Sequence, residues 1–188
     1  AGVVQPAGSG FGGGGFALVQ EGSENAFVLD FRERAPSAAT RDMYVNNPRP
    51  KASRNGGLAV AIPNESNGLI ALHAKYGTMS LKQLSKPAIR LSKGYPVGLY
   101  VLKSLGKLAE REAAFTQSYW GMSERPAQNS MVSNPRLGKA LKDWARTGGE
   151  AFKTGWVAED LVATVQADGG ILSKEDLTNV SAKEREPL

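Results

Sequence analysis

Two short apolar runs near the start of the chain predict a β-hairpin. Residues 16–20 and 26–32 are rich in side chains that favour strands, and the five residues between them, EGSEN, have turn chemistry. No polar residue alternates with the apolar ones over residues 26–29, which is typical of a strand covered on both faces. We therefore expect a buried hairpin within residues 1–35.

The pattern then changes twice. Proline and glycine interrupt residues 35–61, which predicts a loop broken only by a short helix over residues 38–44. Beyond it, apolar side chains recur at helical spacing. The fold class predicted is α+β in a single fragment, with a glycine-rich bend and hairpin (residues 1–35), a loop (36–66) and a mainly helical region (67–188).

Local signals predict where the individual helices begin and end. Apolar spacing predicts helices over residues 68–76, ending at Gly77, from Leu99 to Ala109, and over residues 156–167. Capping residues predict three more helix starts, at the Ser80–Gln83 capping box, at Asn134 with Pro135, and at Ser173 with Asp176. Pro87 predicts a kink, or two short helices, in the helix that follows the Ser80–Gln83 box. Residues 115–132 have no clear period and are predicted as a surface loop anchored by Trp120.

A glycine-rich segment precedes the first strand. Residues 8–19 read GSGFGGGGFALV, and Gly8, Gly10 and Gly13 have the spacing GxGxxG. A nucleotide-binding fingerprint needs a helix after the glycines, because the helix N-terminus holds the pyrophosphate. A strand is predicted there instead. We interpret these glycines as structural, allowing positive φ and close approach of neighbouring segments, with their amides as a compatible lining for a substrate pocket.

Composition narrows the classes of function. With 188 residues and 41% hydrophobic side chains, the chain suits one globular unit or a piece of a larger one. Its net charge of +5 is scattered among acidic residues, which favours a solvated surface over a nucleic-acid-binding stripe. No apolar run approaches the roughly 20 residues needed to cross a bilayer, and no signal-peptide layout is present. Both ends fall inside patterned segments, so we interpret the chain as a fragment.

The usual catalytic groupings are missing from the sequence. There is no cysteine, and the single histidine, His73, falls in mid-helix without a carboxylate at helical spacing to complete a metal site or a relay. No GxSxG elbow occurs, and the first residue is not serine, threonine or cysteine. We therefore predict no catalytic residue, no metal site and no cofactor in this chain.

A charged cluster at the end of the second predicted strand is the best candidate site. Asp30, Arg32 and Arg34 alternate onto one side, and Phe31 and Glu33 onto the other. An arginine here can hold a carboxylate with two parallel hydrogen bonds, which a lysine cannot reproduce. The alternative is an internal ion pair of Arg32 with Asp30 or Glu33 that only orders the strand end. Physical reasoning leaves both interpretations open.

The sequence also resembles a known family. The run GSGFGGGGFALV, followed by VLDFRERAPSAATRDMY, resembles the large-subunit signature of γ-glutamyltransferases (γ-glutamyltranspeptidases) in the N-terminal-nucleophile hydrolase superfamily. The resemblance continues through GLIALHAKYGTMSLKQLSKPAIRLSKGYPV and GEAFKTGWVAEDLVATVQADGGILSKEDL, so it spans nearly all of the chain. It implies that the α+β chain forms part of an αββα sandwich.

The resemblance also implies a reaction and a role for the cluster. In this family a precursor cuts itself into two subunits, and the new terminal threonine of the small subunit attacks γ-glutamyl amides such as glutathione. The γ-glutamyl group then passes to water or to an amino acid or peptide. The arginine that binds the donor α-carboxylate falls on Arg32. From the charged cluster itself we expect Glu33 to brace the guanidinium or the adjoining chain, and Asp30 to be structural. The small subunit and γ-glutamyl small molecules are the implied partners, and a periplasmic or secreted location is favoured.

Two positions depart from the family pattern. Residues 61–64 read AIPN where the family usually reads GxPG, and we expect Asn64 to tolerate a left-handed turn there. Val180 stands where an aromatic residue is common. Relatives of the same architecture deacylate β-lactam side chains or cut poly-γ-glutamate. The alternatives to a γ-glutamyltransferase are therefore an acylase acting on another amide, or a non-catalytic structural or interaction module from a degenerate relative.

Overall fold

The computed structural model describes residues 1–6, 8–23, 26–45, 47–106 and 109–187, with side chains described outside residues 105–114. The chain divides into two compact units. The helical unit comprises Ala1–Gly10 and Met79–Arg146, and the hairpin unit comprises Phe11–Thr78 and Thr147–Leu188.

Strands and helices follow the order of a hairpin and then mainly helices. The strands are β1 (Gly15–Val19), β2 (Phe27–Phe31), β3 (Tyr95–Pro96), β4 (Met131–Val132) and β5 (Lys183–Arg185). The helices are α1 (Glu65–Tyr76), α2 (Leu81–Ser92), α3 (Leu99–Gly106), α4 (Ala109–Trp120), α5 (Pro135–Thr147), α6 (Trp156–Ala167) and α7 (Lys174–Asn179). Single 3₁₀ turns lie at Gly57–Ala59 and Glu150–Phe152.

The predicted hairpin is confirmed. β1 and β2 pair antiparallel in a register that places Gly15 opposite Phe31, and β5 pairs with the other side of β2. Leu29 and Phe31 are buried, while Phe16 and Leu18 are 62% and 69% exposed. One face of β1 is therefore exposed in this chain, whereas β2, the strand predicted to be covered on both faces, has no exposed residue.

Helix α1 packs against β2. Gly68 faces the Phe31 ring so closely that an added Cβ would collide with it, so only glycine allows this contact. Beside it, the Phe27 and Tyr76 rings stack with their centroids 6.1 Å apart, and the Lys75 ammonium lies 4.1 Å from the centre of the Phe27 ring. A small residue and an aromatic stack thus set the distance between sheet and helix.

The local capping signals are confirmed. Ser80 and Gln83 form the capping box of α2, and Ser173 and Asp176 form that of α7. The side chain of Asn134 accepts the Leu137 amide at 2.8 Å at the start of α5. These signals are reliable because each one satisfies backbone amides that the first turn of a helix leaves without a partner.

Three helix predictions need adjustment. Helix α2 runs from Leu81 to Ser92 through Pro87 as one element. Residues 38–44 form turns and no helix, with the Val45 amide bonded to the Asp42 carbonyl, since so short a helix gains few internal hydrogen bonds. The predicted loop over residues 115–132 is wrong for its first part, because residues 115–120 belong to α4.

Aromatic packing explains why α4 continues to Trp120. Phe115, Tyr119 and Trp120 lie at helical spacing and touch one another, with ring centroids 4.9 to 6.1 Å apart. The Trp120 indole N–H donates to the Tyr95 hydroxyl at 3.2 Å, and the Trp120 ring is buried. Trp120 therefore anchors this region as predicted, but from the end of a helix.

The hairpin unit has a continuous apolar core formed by helices α6 and α7 and the segment before α1. Its buried members are Ile62, Ala158, Val162, Val165, Leu172, Leu177 and Val180. Valine at position 180 is thus a packed core residue. None of the helices in the described part of the chain is long and apolar enough to cross a membrane.

Candidate functional site

The backbone of Arg32 is fixed from several directions. Arg32 follows directly after β2, and its amide donates to Asp30 Oδ1 at 3.0 Å. Two residues later, Arg34 forms an isolated antiparallel bridge with Ile62. The segment leaving the strand is therefore held in place although it belongs to no sheet.

The side chain of Arg32 pairs with Glu33. The Arg32 Nη1 and Glu33 Oε2 atoms are 3.1 Å apart, with 53% of the arginine side chain and 23% of the glutamate side chain exposed. Glu33 Oε2 is itself buried and accepts no hydrogen bond from the described residues, so the guanidinium is its charge partner there. The pair combines a buried carboxylate oxygen with a half-exposed cation.

Asp30 belongs to a second, separate pair. Its Oδ2 atom accepts from Arg185 Nε at 2.6 Å, which ties β2 to β5. The hydrogen bond from the Arg32 amide, followed by that from Arg185, lowers the pKa of Asp30 below its ordinary value. Asp30, Arg32 and Glu33 thus lie together, but the Asp30 carboxylate bonds to the backbone amide of Arg32, while its ion pair is with Arg185.

The glycine run lies against the arginine segment. A Cβ on Gly14 would collide with the Phe31 carbonyl and would lie 2.9 Å from the Glu33 amide nitrogen, and backbone atoms cannot move aside as a side chain can. Of the described glycines in the run, Gly10 has positive φ, at 143°. The structural interpretation of the run is confirmed by this close approach, and β1 follows the glycines where a nucleotide site needs a helix.

Asn64 is a buried polar residue that joins three segments beside Arg32. Its amide donates to the Gly13 carbonyl at 2.9 Å. Its Nδ2 group donates to the carbonyls of Ser181 at 3.2 Å and Arg32 at 3.5 Å, and its Oδ1 accepts from Asn67 Nδ2 at 2.9 Å. The residue is 1% exposed, so its polar atoms depend on these partners.

The expected left-handed conformation of Asn64 is wrong. Its φ is −135° and its ψ is −1°, outside the left-handed region. Its side chain is used for long-range hydrogen bonds, which fix the position better than a turn preference could. The departure from the family pattern at position 64 was the available signal for this role.

Two carboxylates hold the loop that follows the cluster. Asp176 accepts the Ser37 amide at 2.9 Å, and Asp168 accepts the Gly57 amide at 2.8 Å and pairs with Arg49 at 2.8 Å. Burial alone would raise the pKa of Asp176, but hydrogen bonds from the Ser37 and Ser173 amides outweigh it and the pKa is lowered. Both ends of the loop are thus fastened to the C-terminal helices of the hairpin unit.

In the described part of the chain, histidine and carboxylate side chains do not come together in a metal site. His73 lies half-buried in α1. The described residues contain no group of three or more His, Cys, Asp or Glu side chains placed to hold a metal ion.

Comparison with known proteins identifies the class of fold and then the family. The chain is similar to the crystal structure of Helicobacter pylori γ-glutamyltranspeptidase with a TM-score of 0.92 and 33% identity, over all of this chain and 56% of that chain. The family model described as gamma-glutamyltranspeptidase matches residues 1–188. The chain therefore belongs to the γ-glutamyltranspeptidase family, and the α+β class and the resemblance predicted above are confirmed.

The curated relatives are much longer. The chain is 34% identical to glutathione hydrolase 2 of Arabidopsis thaliana over 191 residues, which cover 100% of this chain and 33% of the relative. It is 33% identical to the glutathione hydrolase proenzyme of Escherichia coli (strain K12), over 99% of this chain and 33% of that protein. The chain thus spans about one third of the length of these relatives.

Proposed function

We propose that this chain is part of the large subunit of a γ-glutamyltransferase or γ-glutamyl hydrolase, and that Arg32 binds the α-carboxylate of the donor. The family and the names of the relatives, glutathione hydrolases, support the reaction. The threonine nucleophile and the oxyanion hole would come from the small subunit of the same precursor. Glutathione is the proposed donor type, and a periplasmic or secreted location is part of the proposal.

One observation carries the assignment to Arg32: its guanidinium is half-exposed, while the backbone beneath it is fixed by β2, Gly14 and Asn64. Exposure lets a dissolved donor reach the cation. The planar guanidinium carries five N–H donors in a fixed fork, and the Glu33 contact lies at Nη1. A carboxylate can therefore bind through two parallel hydrogen bonds without displacing Glu33.

The chemistry assigned to Arg32 is binding and orientation. Holding the α-carboxylate fixes one end of the donor, so that the γ-amide at the other end meets the threonine at a constant distance. The amide bond breaks when the threonine oxygen attacks, and the acyl group then passes to water or an amine. Since Arg32 is remote from the bond that breaks, its loss should raise the donor KM more than it lowers kcat.

The test uses the full-length, processed protein with a chromogenic γ-glutamyl anilide as donor. Arg32→Ala should raise the donor KM about 100-fold, because two charge-assisted hydrogen bonds are lost. Arg32→Lys should recover little of it. Arg34→Ala is the matched control, since Arg34 is exposed two residues away and should leave the KM within about twofold. An unchanged KM for Arg32→Ala would overturn the proposal.

A double variant separates ligand binding from a purely structural ion pair. Arg32→Ala leaves Glu33 Oε2 buried beside no cation, which can disturb the site for a structural reason. Arg32→Ala with Glu33→Gln removes that charge as well. If Arg32 only balances Glu33, the double variant should return to the wild-type KM. If Arg32 binds the donor, the KM should stay high.

A further inference from the structure

The residue that fixes Arg32 from the side of α1 is Asn64. We propose that Asn64 is a positioning residue that sets the direction of the Arg32 side chain toward the donor carboxylate. The inference rests on the proposed function of Arg32.

The hydrogen bonds of Asn64 connect segments that are far apart in sequence. The contact of its Nδ2 with the Arg32 carbonyl spans 32 residues, and the contact with Ser181 spans 117 residues. The bond to Ser181 is the shorter, at 3.2 Å against 3.5 Å. Because one amide group serves both carbonyls, a shift of either segment would be felt at the other.

A second asparagine holds the amide group of Asn64 in orientation. Asn67 Nδ2 donates to Asn64 Oδ1 at 2.9 Å and to the Val180 carbonyl at 3.1 Å. This fixes which end of the Asn64 amide is the acceptor, so its two N–H donors must point to the Arg32 and Ser181 carbonyls. Asn67 therefore belongs to the same positioning network, one step further from Arg32.

The backbone amides beside Asn64 add a third connection. The Gly13 carbonyl accepts both the Asn64 and the Glu65 amides at 2.9 Å. Gly13 is followed by Gly14, which lies against the backbone around Arg32. The Arg32 backbone is thus confined between the glycine run and the Asn64 side chain. Two parallel hydrogen bonds to a carboxylate depend on angle as well as distance. Removing the Asn64 contact to the Arg32 backbone should therefore weaken the binding of the donor carboxylate.

The experiment is a double-mutant cycle in the full-length, processed protein. Two donors are compared: a γ-glutamyl anilide, and a 4-aminobutyryl anilide, which is the same molecule without the α-carboxylate. Asn64→Ala should raise the KM of the γ-glutamyl donor about 10-fold in the presence of Arg32, and should change it less than twofold in an Arg32→Ala background. Its effect on kcat/KM for the 4-aminobutyryl donor should also be below twofold.

Two further variants keep the test decisive. Asn64→Asp keeps the acceptor for Asn67 and suits a helix N-terminus, but loses both N–H donors, so it should raise the KM in the same direction if the alanine variant does not fold. Asn67→Ala frees the Asn64 amide to turn while leaving its two donors in place, so it should raise the KM in the same direction but by less than threefold. An equal loss with both donors, or the same Asn64 effect with and without Arg32, would overturn the inference.

The outcomes also distinguish this inference from the proposed function. If Arg32→Ala leaves the γ-glutamyl KM unchanged, the proposed role of Arg32 fails and this inference fails with it. If Arg32→Ala raises the KM but neither Asn64 variant does, Arg32 keeps its role and the positioning role of Asn64 alone is rejected.

Discussion

The two compact units are stabilised in different ways. In the helical unit, Phe115, Tyr119 and Trp120 form an aromatic cluster at the end of α4. In the hairpin unit, polar side chains connect segments that are 111 to 139 residues apart, and two of these side chains, Asn64 and Asp176, are buried. Aromatic ring packing is prominent in the first unit, and long-range hydrogen bonds add to the apolar core in the second.

A ligand site needs groups held in fixed positions, and long-range hydrogen bonds of the hairpin unit provide them. A carbonyl or amide held by a distant partner has one allowed position, because leaving it unpaired inside the protein costs free energy. The candidate site lies in the hairpin unit, where Asn64 and Gly14 hold the Arg32 backbone. Variants of Trp120, Gly14 and Asp176 test aromatic packing, close backbone approach and charged hydrogen bonding, in decreasing order of expected effect.

Removing the central aromatic ring should be most damaging in the helical unit. Trp120→Ala deletes a buried ring and the partner of the Tyr95 hydroxyl, and should reduce the free energy of unfolding by about 3–5 kcal/mol. Tyr100→Ala is the control, because Tyr100 is 71% exposed and its loss should cost less than about 0.5 kcal/mol. Urea unfolding of the full-length protein, with hydrogen exchange in α4, measures both. Equal stability of the two variants would contradict the packing argument.

Adding a single methyl group at Gly14 should destabilise the hairpin unit nearly as much as the loss of Trp120 destabilises the helical unit. Gly14→Ala forces a Cβ against the backbone of Phe31 and Glu33, and should destabilise the protein by about 3 kcal/mol. Gly12→Ala is the matched control within the same run, since an added Cβ there meets nothing within 4 Å. If thermal unfolding shows the same loss for both, the close approach of the glycine run does not stabilise the site.

The carboxylate of Asp176 should make stability depend on pH. Its pKa is lowered from 3.8 in the folded state, so its stabilisation is complete above about pH 4 and is lost as the pH falls through the folded pKa. Asp176→Asn should destabilise the protein by about 2 kcal/mol at pH 7, because the Ser37 and Ser173 amides lose a charged acceptor. Below pH 4 that difference should shrink.

Chemical unfolding of the full-length protein between pH 7 and pH 2.5 checks this dependence. Glu175→Gln, at the exposed neighbouring position, is the control for a general loss of negative charge. A constant difference between wild type and Asp176→Asn across this range would refute the assignment to Asp176.

Structural features that depend on residues close together in the sequence were predictable. Both capping boxes, the Asn134 cap and the β1–β2 hairpin each depend on residues within a few positions of one another, and the structure contains all of them. The family and the position of Arg32 after β2 were equally readable, because the motif that carries them is continuous. The prediction for the end of α4 is wrong because residues 115–132 as a whole lack an apolar period, and three aromatic residues at their start are too few to show one.

The candidate site shows where this kind of prediction stops. The charged cluster could be named from the sequence, but the division into an Arg32–Glu33 pair and an Asp30–Arg185 pair could not, because Arg185 is 155 residues away from Asp30. In the sequence Asn64 shows only as a departure from the family pattern, and the left-handed conformation predicted for it is wrong. Its partners are backbone carbonyls, which have no sequence signature.

The sequence by itself determined the class of fold, the family and the capped starts of helices α2, α5 and α7, because these depend on periodicity, capping and continuous motifs. Only the tertiary structure decided which carboxylate meets which arginine, which glycine must lack a side chain, and which buried amide holds the Arg32 backbone. The physical reason is that a buried polar group is stable only with a partner, and the partner is chosen by the path of the whole chain.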